Sequence, residues 1–254
     1  MYVCESPVGE SRKTKTVERQ NSAAGTNSEN AMNTKHNDPF PWLPLEPYCR
    51  KWGISAGTPI DRYYIDQFLH RLSPEIRGHV LEVKSDDYAR RYGDPNRIVS
   101  VDVLDVLTDN KKANLHLDLA HADGIPAESY ECFILTQTLN LIYEVRAACT
   151  HAVRILKPGG TLLGTVSAVN RISAEDGGLD DDYWRFTSGS IRKIIEGIPR
   201  ASHLRIWSYG NVLACCAFLY GVPAEAIQPD RLDYVDPYFP VVYGFSVIAS
   251  ELAA

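Results

Sequence analysis

The sequence predicts an α/β fold, a mostly parallel sheet covered by helices on both faces, and two observations predict it. From residue 79 onward, short β-rich apolar runs alternate with linking segments, at 79–83, 98–102, 115–119, 132–136 and 161–167. Continuous apolar runs separated by crossovers belong to parallel strands buried on both sides. The clearest crossover, 144–156, carries Val145, Ala148, Cys149, Ala152, Val153 and Leu156 at helical spacing. Two later runs, 203–209 and 241–249, bring the expected strands to seven.

The elements follow in order. Residues 1–38 hold too few apolar side chains to offset chain entropy and are expected to form a disordered leader, in which Met32 is a second candidate start. Residues 39–56 open on Pro39-Phe40-Pro41-Trp42-Leu43-Pro44-Leu45, expected to lie as an extended strap over a domain spanning 57–254. Thr58-Pro59-Ile60-Asp61 reads as a helix start, with Thr58 as N-cap, Pro59 in the first turn and Asp61 closing a capping box. Ile60, Tyr64, Ile65, Phe68, Leu69 and Leu72 then form one apolar stripe.

The first crossover is short, because Gly93, Asp94 and Pro95 end any helix after about two turns. Lys157-Pro158-Gly159-Gly160 ends the long one. A further helix is expected over 187–197, with Ile191, Ile194, Ile195 and Ile198 inward. Within an insertion at about 210–240, residues 212–220 are apolar on all sides, which fits either a helix buried under the strap or a homodimer face.

With 254 residues, 44% of them hydrophobic, the chain can bury a full core. The net charge of −6 and the lack of any Lys/Arg-rich face give no footprint for a nucleic-acid backbone. The six cysteines show no metal-ligand spacing and read as reduced thiols of a cytoplasmic protein, with no metal expected. No apolar h-region marks a signal peptide, and no run approaches the ~20 apolar residues that span a bilayer, so no membrane partner is expected.

A series of motifs is more specific. Asp118-Leu119-Ala120, the turn Ile125-Pro126, the apolar stretch 131–142 and Arg154-Ile155-Leu156-Lys157-Pro158-Gly159-Gly160-Thr161-Leu162-Leu163 occur in this order. Over about residues 57–250 the chain resembles the class I S-adenosylmethionine-dependent methyltransferases. Gly57 to Tyr64, Asp182-Tyr183-Trp184-Arg185-Phe186-Thr187 and Gly210-Asn211-Val212-Leu213 also resemble a type 11-like bacterial subgroup associated with glycosyltransferases.

The resemblance implies a Rossmann-like, doubly wound sheet, S-adenosylmethionine as cofactor, S-adenosylhomocysteine as product and a small-molecule acceptor, saccharide-derived or from secondary metabolism. Glu82 matches the acid closing the first strand, Asp102 the ribose-binding acid of the second, and Asp118 with Leu119 the adenine-reading pair of the third; Thr136 closes the fourth strand at the same pocket. The family's Gly-rich loop is replaced by Glu82-Val83-Lys84-Ser85-Asp86-Asp87-Tyr88, with side chains at all three glycine positions. Two outcomes stay open. Arg62 and Tyr63, with Lys84, can compensate by meeting the methionine carboxylate through charge-assisted bonds; or Lys84 and Asp86 pair across a collapsed loop. For catalysis, Gln137 with Thr138 is expected to orient the acceptor, Tyr183 to accept or orient its proton, and Trp184 and Arg185 to form a lid, with Trp184 and Phe186 alternatively stapling the next helix. The rival to methyl transfer is a fold of this type running different chemistry or serving as a silent scaffold.

Overall fold

The computed structural model describes residues 43–173 and 181–251, so the expected leader and the strap residues Phe40 and Trp42 lie outside the described residues. The chain divides into two units, Met1–Leu43 and Pro44–Ala254, and the elements below belong to the second. Helix α1, Ile60–Arg71, leads into strand β1, Gly78–Val83, and the short helix α2, Asp87–Tyr92. Strands β2 (Ile98–Asp105), β3 (Leu115–His116) and β4 (Tyr130–Thr136) follow, then helix α3, Val145–Arg154, and strand β5, Leu156–Ser167. Helix α4 (Ser188–Ile195), strand β6 (Ala201–Tyr209), helices α5 (Val212–Leu219) and α6 (Pro229–Asp233), and strand β7 (Val242–Ala249) complete the described chain.

The seven strands form one sheet in the order β3-β2-β1-β4-β5-β7-β6. Pairing is parallel from β3 to β5 and antiparallel at β5–β7 and β7–β6, the mostly parallel seven-stranded sheet that the sequence predicts. Alternation along the strands sends side chains to two cores, one per face. Leu81, Phe133, Leu135 and Leu162 pack with Ala148, Ala152 and Val153 of α3 and Ile191 and Ile195 of α4. Val80, Cys132, Ile134 and Leu163 pack with Ile60, Tyr64 and Phe68 of α1, Ala89 of α2 and Ala214 and Phe218 of α5.

Four expectations are corrected. Strand β2 runs on through Val103 and Leu104 to Asp105, so Asp102 lies inside the strand opposite Leu81 rather than at its end. Strand β3 is only two residues long, because Asp118 turns the chain by accepting the Ala120 N–H at 2.8 Å. The capping box at α1 does not form. Glu225 takes both the Thr58 N–H (2.9 Å) and its hydroxyl (2.6 Å), Pro59 is the cap, and Asp61 accepts from the Arg62 N–H at 2.8 Å. The α4 start, by contrast, carries a reciprocal box of Thr187 with Ser190.

The strap is not an extended apolar cover in its described part. Leu45 is 104% exposed, and residues 51–57 fold back in a turn through bonds such as Gly57 N–H to Gly53 O. The backbone holds it: the Tyr48 N–H donates to Tyr220 O at 2.9 Å, and the Tyr220 hydroxyl to Pro44 O at 3.1 Å. Helix α5 buries Ala214, Cys215, Ala217 and Phe218 but leaves Val212 and Leu219 about half exposed, at 53% and 49%. The insertion thus has one buried face and one bare apolar face.

Gly221 makes this docking possible. It sits at φ +68, and a Cβ there would lie 2.1 Å from Cys49 O. Gly221→Ala must therefore strain the backbone and push the strap away, which is expected to destabilise the protein by about 2–4 kcal/mol. Denaturant unfolding with an unchanged midpoint would show that the strap is not held at this contact.

Candidate functional site

Open α/β sheets bind ligands beyond the carboxyl ends of their strands, where the strand order reverses. Here the reversal lies between β1 and β4, and two cavities open there. The first, of about 320 Å³, is lined by Leu104, Asp105, Val106, Leu107, Leu117, Asp118, Leu119 and the aromatic pair Tyr143 and Tyr183. The second, of about 410 Å³, is lined by Trp52, Ile54, Asp61, Arg62, Glu82, Tyr88, Thr136, Gln137, Asn140 and Asn170. Val83, Lys84, Thr138, Leu141 and Ser173 border both, so the cavities are two arms meeting at the end of β1.

The glycine-free loop is open. Glu82 is 1% exposed, and its two oxygens accept the Tyr88 N–H (3.0 Å) and the Ala89 N–H (2.7 Å) at the start of α2. Lys84 stands in the left-handed region at φ +66, the conformation that glycine adopts freely and other residues adopt at a cost of about 1–2 kcal/mol. Its backbone is held on both sides: the N–H donates to Leu104 O (2.9 Å), and its carbonyl accepts from Asn110 Nδ2 (2.8 Å). The same Asn110 amide also bonds Asp105 Oδ2 at 2.7 Å, tying the loop to the end of β2. Asp86 is ion-paired with Arg90, and Asp87 with Lys112 at 3.2 Å. Both cavities border the loop at Val83 and Lys84, so a pocket is present beside it.

The other expected residues separate into two groups. Arg62, Glu82, Lys84, Thr136 and Gln137 line the second cavity, and Asp118, Leu119 and Tyr183 the first, which Lys84 also borders. Three residues are directed elsewhere. Asp102 accepts from Asn114 Nδ2 (2.6 Å) and the Tyr130 hydroxyl (2.9 Å) and borders neither cavity, whereas Asp105 takes the strand-end position. Tyr63 donates its hydroxyl to Asp233 at 2.7 Å. Arg185 clamps the backbone: it pairs with Asp182 at 2.6 Å and donates to Arg171 O at 2.9 Å, closing the loop after β5.

The aromatic segment also divides. Phe186 is buried in the core, as a staple for α4 should be. Trp184 stacks on Tyr143 and donates its indole N–H to Ile142 O (3.0 Å), and the Tyr183 hydroxyl donates to Asp181 at 3.0 Å. Tyr183 therefore walls the first cavity and not the one containing Gln137.

Sequence reasoning missed Asp105, Asn110, Asn140, Asn170 and Trp52. Asp105 was findable, since Val103 and Leu104 continue the apolar run beyond Asp102. The amides carried no sequence signal, because their roles come from contacts between distant loops.

Burial acts on the titratable groups of the second cavity. It raises the Asp61 carboxyl above the usual range, against the pull of Arg62. Burial likewise raises Glu82 to about 7, against its two backbone hydrogen bonds.

No protein-family model matches the chain, and no curated protein matches it in sequence. Solved structures do match. A chain from the complex between the Haloferax volcanii Trm112 methyltransferase activator and a methyltransferase is 15% identical, with a TM-score of 0.51, over 76% of this chain and 94% of that one. Haemonchus contortus phosphoethanolamine N-methyltransferase 2, in complex with phosphomonomethylethanolamine and S-adenosylhomocysteine, is 12% identical at a TM-score of 0.50. That match covers 73% of this chain and 53% of that one. The chain therefore shares the fold of these methyltransferase structures. Among the described residues, no helix is long and apolar enough to cross a membrane.

Glu82 gives a pH test. Its folded pKa is raised from 4.5 to about 7, so the native state holds a proton that the unfolded state has lost between these values. Its contribution to stability is complete below the unfolded value and lost as pH rises through about 7. The stability of wild type relative to Glu82→Gln, which cannot titrate, is expected to fall by about 1–3 kcal/mol between about pH 4.5 and about pH 8. A pH-independent difference in urea unfolding would mean that folding does not shift the titration of Glu82.

Proposed function

We propose that the protein is a methyltransferase that uses S-adenosylmethionine and acts on a small hydroxylated acceptor. The observation that carries this reading is the pair of joined cavities at the strand-order reversal, whose linings differ in the way the two ends of the cofactor differ. The first arm combines the carboxylates of Asp105 and Asp118 with the apolar walls of Leu104, Val106 and Leu117. Ribose hydroxyls and an adenine amino group are donors, which acceptor-only carboxylates suit, and the base needs an apolar slot. The second arm brings together the cations of Arg62 and Lys84, which suit the carboxylate of an amino-acid end. The donor set fits the cofactor, and the fold supports the same reading.

Bound S-adenosylmethionine would supply an electrophilic methyl group on a sulfonium. The chain's own part is positioning and proton handling. Leu119 and Asp118 hold the adenine, Asp105 the ribose, and Arg62 with Lys84 the carboxylate. Gln137 and Asn140 orient the acceptor at the far side of the second arm. Asp61, a buried carboxylate in that arm with its pKa raised by burial, is the group that can hold the proton that a hydroxyl acceptor loses. Glu82 is occupied by the Tyr88 and Ala89 amides and serves to fix the loop.

Calorimetric titration tests the assignment with S-adenosylhomocysteine. Asp105→Ala is expected to weaken binding by about 1–3 kcal/mol by leaving ribose hydroxyls unpaired. Asp102→Ala should leave affinity unchanged, and Lys84→Met should weaken it by removing the ammonium while keeping the chain length. Absence of heat at millimolar ligand would sink the cofactor reading. Loss of binding in Asp102→Ala but not Asp105→Ala would reverse the ribose assignment.

A further inference from the structure

A directed chain of hydrogen bonds joins the strap to the acceptor side of the second cavity. The Trp52 indole N–H donates to Asn170 Oδ1 (2.7 Å), Asn170 Nδ2 donates to Ser167 Oγ (3.3 Å), and the Ser167 hydroxyl donates to Gln137 Oε1 (2.5 Å). Indole nitrogen can only donate, so it fixes the Asn170 amide with its oxygen toward Trp52 and its NH₂ toward Ser167. A hydroxyl that accepts from one side donates on the other, which fixes the Gln137 amide in turn. The head of the chain is itself held: the Arg171 guanidinium lies 3.7 Å over the Trp52 ring.

The chain ends on an unspent donor. Gln137 Nε2 is buried without a partner, and so is Asn140 Oδ1 in the same cavity. The Asn140 orientation is set by donation from Nδ2 to Asp182 Oδ1 at 3.3 Å, which leaves its oxygen as the free atom. Gln137 also adopts φ +48, a strained backbone of the kind that persists where surrounding contacts over-determine it. Native structures rarely leave such groups unpaired, so a donor and an acceptor lining one cavity imply a ligand group that is both. A hydroxyl is such a group. Trp52, Ile54 and Pro59 give the same cavity apolar lining, which suits a neutral ring bearing hydroxyls.

We propose that Trp52 is a positioning residue for the acceptor. Acting through Asn170 and Ser167, it aims the Gln137 amide, which with Asn140 Oδ1 holds a hydroxyl of a neutral ring. This inference rests on the acceptor half of the function proposed above.

The test uses the full ¹⁵N-labelled chain, with the Gln137 side-chain NH₂ resonance and the affinity for methyl α-D-glucopyranoside, at saturating S-adenosylhomocysteine, as readouts. Trp52→Phe keeps a ring against Arg171 but removes the indole N–H; Ser167→Ala breaks the chain one link further on. Each is expected to shift the Gln137 resonance in the ligand-free protein and to weaken glycoside binding about five- to tenfold, with S-adenosylhomocysteine affinity unchanged. The double variant should bind no more weakly than either single one, because both act through one chain. Additive losses, or an unshifted Gln137 resonance in both variants, overturn the positioning role. A wild type that binds S-adenosylhomocysteine but whose Gln137 resonance does not respond saturably to the glycoside overturns the hydroxyl assignment. If wild type does not bind S-adenosylhomocysteine, the methyl-transfer reading fails, and the resonance in the ligand-free variants still decides whether Trp52 aims Gln137.

Discussion

The buried carboxylate of Glu82 is the interaction on which the site depends. By accepting the Tyr88 and Ala89 amides it fixes the start of α2 to the end of β1, and residues 84–86 must span the remaining gap. In a glycine loop the backbone finds that path at no steric cost. Here Lys84 takes the left-handed conformation, and bonds from Asn110 and to Leu104 hold it there. The loop keeps the shape that glycine would allow by means of hydrogen bonds instead of conformational freedom. It also presents a cationic side chain where a glycine loop presents only backbone.

That exchange has a thermodynamic side. Burial raises Glu82 to about 7 although two backbone donors favour its ionised form. Keeping the anion therefore opposes folding at higher pH, and the strained backbones of Lys84 and Gln137 add to the cost. All three lie at the ends of β1 and β4, where the two cavities meet. Strain of this kind survives in a fold when neighbouring contacts leave no alternative, and the two hydrophobic cores on either face of the sheet supply the surplus stability.

The sheet was legible because its signal is local. Continuous apolar runs such as 132–136 and the 3.6-residue stripe of α3 are written in consecutive residues, and the structure reproduces both. The second strand was read as ending at Asp102 because that acid interrupts the run; inside the strand it accepts from Asn114 and Tyr130. Thr58 carried a helix-cap pattern that Glu225, 167 residues away, overrode by taking its hydroxyl. Arg185 and Tyr63 are polar residues near a cavity in sequence terms, yet Asp182 and Asp233 claim them. At Thr58 and Tyr63 the misreading has one cause: a long-range partner, Glu225 or Asp233, won over a local pattern.

The second cavity shows how such partners build specificity on a common sheet. Its floor comes from β1 and β4, but Trp52 and Ile54 come from the strap, and Asn170 and Ser173 from the loop after β5. The strap is in turn docked on the end of α5, through Tyr220 and the close approach at Gly221, and the start of α1 is tied to Glu225 in the same insertion. Arg185 and Asp182 close the β5 loop against Asn140. The insertion, whose outer face is bare and apolar, thus fixes one wall of a cavity that it does not itself line. A change in how α5 or its following turn packs would reach the cavity through the strap, at Trp52, while the first cavity, built from the strand ends β1 to β3, the Leu141 to Glu144 stretch and the Tyr183 segment, has no residue of the strap in its lining. The strap therefore meets the second cavity directly, at Trp52 and Ile54, and the first only by way of residues that border both, Val83, Lys84, Thr138, Leu141 and Ser173.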